Sequence, residues 1–174
     1  NPRMIRQLTA YPDGRFLALA FVDNTDGNQD HTVFRFLSNG RVDTTFQSGQ
    51  AYVEYMGRLL LMSDGGALLG ASFGSLKWGQ DDKRSAWLLR LTPNGLVDEQ
   101  FPTNWRGGHG GLGTFPNGDI AIGGSMIKRS SPAGRVDPRF QAMASFVESI
   151  AWDSQGRMLI AGAFKQVNRS PRQY

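Results

Sequence analysis

Two short motifs in the chain match patterns found at catalytic or nucleotide-binding sites. Residues 70–74 have the Gly-x-Ser-x-Gly pattern of a nucleophile elbow, which needs a strand that turns sharply into a helix. Residues 108–113 match Gly-x-Gly-x-x-Gly, which binds a dinucleotide only where a helix follows. No helical pattern follows either motif. We therefore expect neither a catalytic nucleophile nor a dinucleotide-binding site. We interpret residues 108–113 as a linker that passes close to a neighbouring segment.

An oxygen-rich segment, residues 23–30, has the composition of a calcium-binding loop. Its acids are Asp23, Asp26 and Asp30. This spacing does not match the EF-hand template, which needs acids at alternate positions and a distal Glu. The sequence therefore leaves a calcium site in this segment as one alternative and a solvated turn as the other. We expect no other cofactor.

Two tryptophans in polar surroundings are the candidates for ligand binding. Trp78 lies in a predicted polar loop, and Trp105 precedes Arg106 in a Gly-rich connector. If they are exposed, such rings suit stacking on sugars or a protein-binding hot spot. The alternative is that both indoles fold back and cover the edges of the fold.

Composition excludes several classes of protein. The 174 residues are 40% apolar, which is enough for one domain with a buried core. There is no cysteine and there are only two histidines, so disulfides, thiolate zinc sites and most His-based sites are excluded. No run of 18 apolar residues predicts a membrane span. Residues 101–174 carry nine Lys or Arg against four Asp or Glu, but without the interleaved aromatic residues that bind nucleic acid.

An internal repeat dominates the sequence. The motif Gly-x-Val-Asp-x-x-Phe occurs three times, and an Asp-Gly, Asn-Gly or Gln-Gly turn followed by small and apolar residues occurs four times, at residues 13, 64, 117 and 155. A residue that recurs in every repeat is expected to have a structural role in the repeat. We therefore assign each Asp to turn hydrogen bonding and each Phe to packing between repeats. The motif positions are Gly40, Asp43, Phe46, Gly95, Asp98, Phe101, Gly134, Asp137 and Phe140.

Each repeat is predicted to form four short antiparallel strands, because Asx-Gly between apolar runs indicates a tight hairpin. In the second repeat we place these strands at residues 55–62, 67–73, 86–91 and 96–101, with a polar loop at 74–85. The sequence thus predicts an all-β fold with almost no helix: a β-propeller-like array of four-stranded antiparallel blades, about three and a half blades in one domain over residues 1–174. The repeat boundaries are about 4–54, 55–107, 108–146 and 147–174, the last repeat being incomplete.

Three segments, residues 12–15, 89–101 and 160–168, resemble the delta-60 repeat family. That family is a propeller-like tandem repeat of bacterial surface or secreted proteins and of phage structural proteins. The resemblance implies an extracellular, cell-surface or virion location, and it implies no shared catalytic residues. The chain departs from the family in its short third repeat and in its incomplete ring, since propellers close with four to eight blades. Either further blades lie outside this chain, or two chains complete one ring, or the array is open and capped differently.

These features favour a non-catalytic structural or interaction module that presents variable loops to a protein partner or self-associates to complete the propeller. A glycan-binding module that uses Trp78, Trp105 and Arg106 is the alternative. A sialidase-like hydrolase is a third, weaker hypothesis, because it needs paired carboxylates and arginines at the axis and the chain lacks a Ser-x-Asp-x-Gly-x-x-Trp box. The sequence therefore predicts no enzymatic activity, no nucleic-acid partner and no membrane span.

Overall fold

The computed structural model describes residues 4–23, 29–47, 51–53, 57–71, 76–78, 84–102, 105, 110–124, 126–144, 146–168 and 170–171. These residues form seventeen β-strands and no helix, so the predicted all-β class is confirmed. The strands are β1 (Met4–Ala10), β2 (Phe16–Asp23), β3 (Gln29–Phe36), β4 (Ala51–Val53), β5 (Gly57–Leu61), β6 (Ala67–Ala71), β7 (Leu76–Trp78), β8 (Arg84–Ala86), β9 (Leu88–Leu91), β10 (Leu112–Thr114), β11 (Ile120–Ile122), β12 (Ile127–Ser130), β13 (Val136–Ala142), β14 (Val147–Trp152), β15 (Met158–Gly162), β16 (Gln166–Val167) and β17 (Ser170–Pro171).

In the part of the chain that the structure describes, seven turns of one kind connect antiparallel strands. In the first, Tyr11 O accepts the N–H of Gly14 at 3.1 Å, and Tyr11 N donates to Arg15 O at 2.8 Å. The same pair of bonds recurs at every later turn, and the turn glycines all have φ between +75° and +87°. A turn that closes on a left-handed residue strongly favours glycine, which explains why this residue recurs in the sequence. The turn glycines are Gly14, Gly40, Gly65, Gly95, Gly118, Gly134 and Gly156.

The sheets follow the repeats. The third repeat is a complete four-stranded antiparallel sheet in the order β10-β11-β12-β13. The first and second repeats contribute β1-β2-β3 and β5-β6-β9, and in each a single bridge, Phe36–Val42 or Leu91–Val97, stands where a fourth strand is expected. The fourth repeat contributes the pair β14-β15. An array of small antiparallel sheets with these turns is the propeller-like architecture that the repeat predicts.

Two details of the second repeat differ from the prediction. Within the predicted loop 74–85, β7 and β8 form a hairpin, and β7 pairs with β4 so that the first sheet grows to β1-β2-β3-β4-β7-β8. The hairpin is held because Trp78 and Ala86 bury their side chains in the core. Residues 96–101 form one bridge at Val97 and then a turn, because Asp98 O accepts the N–H of Phe101 at 3.1 Å.

Three apolar clusters lie between consecutive repeats. The first contains residues of the first and second repeats, the second those of the second and third, and the third those of the third and fourth. Strand β6 shows how a sheet serves two clusters, since Leu69 packs into the first cluster and its neighbour Leu68 into the second. The sheets of the second and third repeats are thus covered on both faces by their neighbours, which a single repeat could not achieve alone.

Candidate functional site

A cavity of about 480 Å³ lies where the first strands of all four repeats meet. Strand β1 contacts β5, β5 contacts β10, and β10 contacts β14. Arg6, Arg58, Leu112 and Glu148 line the cavity, one residue from each of these strands. We call this space the axial cavity, because the first strands of the repeats surround it as the innermost strands of propeller blades surround the propeller axis.

A side-chain clamp fixes the wall of the axial cavity between the first two repeats. Gln7 Nε2 donates to Leu59 O at 2.6 Å, and Leu59 N donates to Gln7 Oε1 at 3.0 Å. The Gln7 amide therefore bonds both backbone polar groups of one residue of β5, as a neighbouring strand would. Because Arg6 and Arg58 precede the two clamped residues, the clamp also sets the two guanidinium-bearing segments side by side.

His31 lies beneath Arg6 at the edge of the axial cavity. The imidazole is buried, and its ring centroid lies 3.9 Å from that of Phe21. Arg6 Nε lies 3.4 Å from His31 Nε2, and His31 Nδ1 lies 3.1 Å from Val53 O. Since a guanidinium N–H only donates, Nε2 accepts and the proton on Nδ1 is donated to the carbonyl. This contact fixes the neutral tautomer of His31 and the direction of the Arg6 side chain.

The Gly-rich segment that precedes β10 packs directly on the backbone of the fourth repeat. Gly111 N donates to Val147 O at 2.7 Å, and a methyl group at Gly110 would lie 1.5 Å from the same oxygen. Residues 110 and 111 therefore make the close approach expected of a glycine linker. Residues 106–109 lie outside the described residues.

The three aspartates of the repeat motif make the same local hydrogen bond, although Asp43 and Asp98 begin turns and Asp137 lies on β13. Each carboxylate accepts the backbone N–H two residues further on, at 2.9 Å from Asp43 to Thr45, 3.1 Å from Asp98 to Gln100 and 2.9 Å from Asp137 to Arg139. At Asp43 and Asp98 this bond stabilises the turn that follows the bridge at Val42 or Val97, and at Asp137 it forms within β13. All three carboxylates thus accept a local backbone hydrogen bond.

An arginine eight residues before each motif aspartate is a repeated feature that the sequence analysis missed. Arg35 Nε donates to Asp43 Oδ2 at 2.7 Å, in a pair whose side chains are both buried. Arg90 Nη1 donates to Asp98 at 3.0 Å, and its Nη2 bonds Asp64 of the preceding turn. The signal was available in the spacing, since residues 35, 90 and 129 are all arginines.

The third repeat uses its arginine differently. Arg129 Nε donates to Asp119 at 2.7 Å, so this ion pair joins the strand to the hairpin turn that precedes it. A hydrogen bond from the Asn117 side chain and then the guanidinium of Arg129 hold the pKa of Asp119 below its ordinary value. In the first repeat, the Thr45 hydroxyl, followed by the Thr45 N–H and Arg35, lowers the pKa of Asp43.

The motif phenylalanines pack against the turn glycine of the next repeat. A methyl group at Gly95 would lie 2.9 Å from a ring carbon of Phe46, and one at Gly134 would lie 2.9 Å from a ring carbon of Phe101. Both rings are buried. Phe140 is half-buried and meets Phe115 edge to face at 5.5 Å between centroids. The first two rings therefore lie between repeats.

The structure does not place the two candidate tryptophans on the surface. Trp78 and Trp105 are each 5% exposed, the first in the cluster between repeats one and two and the second in the cluster between repeats two and three. Of the two alternatives that the sequence left open, the structure has the one in which both indoles fold back, because both rings fill these interfaces. Neither offers an open face to a sugar, and Arg106 lies outside the described residues.

The candidate calcium residues lie partly outside the described residues. Asp23 ends β2 and Asp30 lies on β3, one register position apart across the pair, since Asp23 pairs with Gln29 and Val22 with Asp30. Their side chains and the whole of Asp26 lie outside the described part of the chain. Among the described residues there is no cluster of three His, Asp or Glu side chains that could hold a metal ion.

The outer face of the fourth repeat is an uncovered apolar surface. Leu159 on β15 is 54% exposed, whereas the residues at the same position of the other repeats, Leu17, Leu68 and Ala121, are 0% exposed. A groove of about 620 Å³ runs beside this strand and is lined by Ile127, Met158, Leu159, Ile160, Phe164 and Val167. We call this surface the β15 face.

Comparison with known proteins agrees with the architecture. Residues 12–46 match a family described as "Domain of unknown function (DUF5122) beta-propeller". A search of the curated proteins finds no match. Within the described residues no helix is long and apolar enough to cross a membrane. The matched residues include the first turn and the first Gly-x-Val-Asp-x-x-Phe motif, so this part of the chain is similar to a β-propeller repeat.

Proposed function

We propose that this chain is a non-catalytic interaction module of the delta-60 type, part of a secreted or surface bacterial protein or of a phage particle. In this proposal it associates with a second copy of itself through the β15 face. The observation that carries the proposal is the 54% exposure of Leu159 at a position that is buried in every other repeat.

The sequence of β15 is that of a strand buried on both faces. Met158, Leu159, Ile160 and Ala161 are consecutive apolar residues, as expected for a central strand and not for an edge strand with one wet face. Exposed apolar patches of this kind indicate a binding surface. A partner that covers β15 would restore the environment that this sequence fits.

A second copy offers the matching surface. At the other end of the array, Ile5 and Leu8 on β1 are 43% and 56% exposed. The bulge between residues 5 and 7 puts both on the side of the sheet that faces away from the second repeat, and we call this side the β1 face. Within the chain, an apolar face of each of the first three repeats packs on the next repeat, and the three apolar clusters consist of the residues in these contacts. Association of the β15 face of one copy with the β1 face of another would continue the same interface between chains.

Other observations support the non-catalytic role, the class of partner and the location. The motif carboxylates are engaged in turn hydrogen bonds and ion pairs, which favours a structural role over acid–base catalysis. The burial of Trp78 and Trp105 argues against the alternative of sugar binding through these rings. The delta-60 resemblance alone supports the extracellular, surface or virion location.

The native mass of the protein tests the proposal. Light scattering on a sizing column, over a wide range of protein concentration, should give about twice the 19.2 kDa of one chain. Leu159→Asp should give the mass of one chain, because a charge cannot be buried in the interface. Leu96→Asp is the matched control, since Leu96 is an exposed leucine in a turn away from β15, and this variant should remain dimeric.

A second variant distinguishes this arrangement from a symmetric contact of two β15 faces. Leu8→Asp should also give monomers, and mixing it with Leu159→Asp should restore a dimer through the one interface left intact. A wild-type protein that is monomeric at every concentration, or a Leu159→Asp variant that is still dimeric, would overturn the proposal. A dimer that survives Leu8→Asp would exclude the pairing of β15 with β1.

A further inference from the structure

The axial cavity has the size and shape of a small-molecule site. Its volume of about 480 Å³ lies in the range of ligand-binding pockets, about 300–1,000 Å³. Its walls come from secondary-structure strands of all four repeats, and the Gln7 clamp holds two of these strands together. Side chains carried on strands that are fixed in this way keep their positions before a ligand arrives.

Two arginines line the cavity with their hydrogen-bond donors available. The Nε of Arg6 is directed at His31 and its guanidinium lies over the ring of Phe21, and neither contact is a hydrogen bond from its two Nη atoms. Arg58 makes one long contact of 3.4 Å to Gly57 O. Elsewhere in the chain Arg15, Arg35, Arg90, Arg129 and Arg157 pair with aspartates, but the described residues give Arg6 and Arg58 no ion-pair partner. A planar guanidinium suits bidentate binding of a carboxylate.

The other polar groups of the cavity define the rest of the ligand. Glu148 and Ser149 on β14 line the same space. With Arg6 and Arg58 they give the cavity a formal charge of +1, which matches a monoanion better than a phosphate that carries two charges. A carboxylate and a hydroxyl side chain both suit the hydroxyl groups of a ligand.

We propose that the axial cavity binds a hydroxylated carboxylic acid of monosaccharide size, such as a uronate, with its carboxylate on Arg6 and Arg58 and its hydroxyls on Glu148 and Ser149. This site is separate from the β15 face, and it requires neither of the two buried tryptophans. The proposal does not depend on self-association.

Calorimetric titration of the full chain at low ionic strength tests the site, with sodium glucuronate as the probe. Glucose supplies the hydroxyls without the carboxylate, acetate supplies the carboxylate without the hydroxyls, and sulfate is a dianion without either. Glucuronate should bind, glucose should not, and acetate should bind more weakly. Equal responses to glucuronate, acetate and sulfate would mean attraction of any anion and would overturn the proposal.

Variants identify the residues. Arg58→Gln and Arg6→Gln should each weaken glucuronate binding about tenfold or more, since each removes one charge-assisted contact, whereas Arg58→Lys should lose less. Glu148→Gln should reduce the difference in binding affinity between glucuronate and acetate. Arg135→Gln is the matched control, because Arg135 is an exposed arginine outside the cavity, and it should bind as the wild type does. Unchanged binding in Arg58→Gln would overturn the assignment.

Native mass and thermal unfolding of the same samples separate the two proposals. None of these variants lies on β15, but Arg6 lies on β1, so Arg58→Gln and Glu148→Gln are the variants that test the axial cavity without altering a strand of the proposed self-association interface. A variant that loses binding while it keeps the wild-type melting temperature has lost the contact and not the fold.

Discussion

Phe46 of the first repeat lies against Gly95 in a turn of the second. The ring leaves so little space that a methyl group at Gly95 would lie 2.9 Å from a ring carbon and 2.9 Å from the backbone N and O of Gln47. Gln47 N also donates to Asn94 O at 2.8 Å, and Arg35 Nη1 donates to Pro93 O at 2.7 Å. The end of one repeat is therefore bonded to the hairpin turn of the next.

Gly95→Ala should destabilise the protein more than Gly118→Ala. Both glycines have nearly the same φ, +85° and +87°, so alanine costs about 1–2 kcal/mol at either from backbone strain alone. At Gly118 nothing lies within 4 Å of the added methyl group, whereas at Gly95 it meets Phe46 and the backbone of Gln47. The extra crowding should cost about 1–3 kcal/mol more.

Urea unfolding of the two variants beside the wild type measures this difference. Equal losses of unfolding free energy at the two sites would mean that the turn can move away from Phe46. In that case the contact would not contribute to the attachment of one repeat to the next.

Asp43→Asn should cost more stability than Asp98→Asn. The Arg35–Asp43 pair is buried, and a buried guanidinium left without its partner costs about 3 kcal/mol. Arg90 and Asp98 are more exposed, so the equivalent change should cost about 1 kcal/mol. Chemical denaturation at pH 7 gives both values, and a larger loss in Asp98→Asn would contradict the role of burial.

The contribution of Asp43 should also depend on pH. Its pKa in the folded protein lies below the ordinary value of 3.8, chiefly because of the Thr45 hydroxyl, so folding favours the ionised form. The resulting stability is complete above the unfolded pKa and is lost as the pH falls through the folded pKa. The difference in unfolding free energy between wild type and Asp43→Asn should therefore shrink steadily below about pH 4. A difference that is constant down to pH 2 would contradict this.

Much of this fold could be predicted from the sequence because its rules are local. A left-handed glycine defines each hairpin turn, and in the first two repeats the motif aspartate begins the turn after the bridge that stands where a fourth strand is expected. The hairpin of β7 and β8 could not be predicted, because its partner is β4 in the preceding repeat and its own residues read as a polar loop. The axial cavity was also missed, since Arg6, Arg58 and Glu148 lie in different repeats and belong to no repeated motif.

Gln7→Glu should weaken the contact between the first and second repeats. A carboxylate can still accept the N–H of Leu59, but it cannot donate to Leu59 O, and the two oxygens repel each other. The expected loss is about 2 kcal/mol, that of a half-buried hydrogen bond replaced by an unfavourable contact. Gln155→Glu, at an exposed turn position, is the control and should change stability little. Thermal unfolding compares the two variants, and equal melting temperatures would show that the clamp adds nothing.

Phe146 is the residue at which glycine should be better tolerated than alanine. Its φ is +57°, which an L-residue with a large side chain adopts at a cost of about 1–2 kcal/mol, and its ring is 65% exposed and adds little burial. The backbone is held there by the neighbouring strand, since Phe146 O accepts the N–H of Ala163 at 3.1 Å. Phe146→Gly removes the strain, and the greater freedom of glycine in the unfolded chain offsets about 0.4–1 kcal/mol of this gain. Phe146→Ala retains the strain.

Unfolding in urea should therefore rank Phe146→Gly above Phe146→Ala by about 1 kcal/mol, the reverse of the order expected at an ordinary strand position. If alanine is the more stable, the loop relaxes to a negative φ in solution, and Phe146 is not held in this conformation by its contact with Ala163.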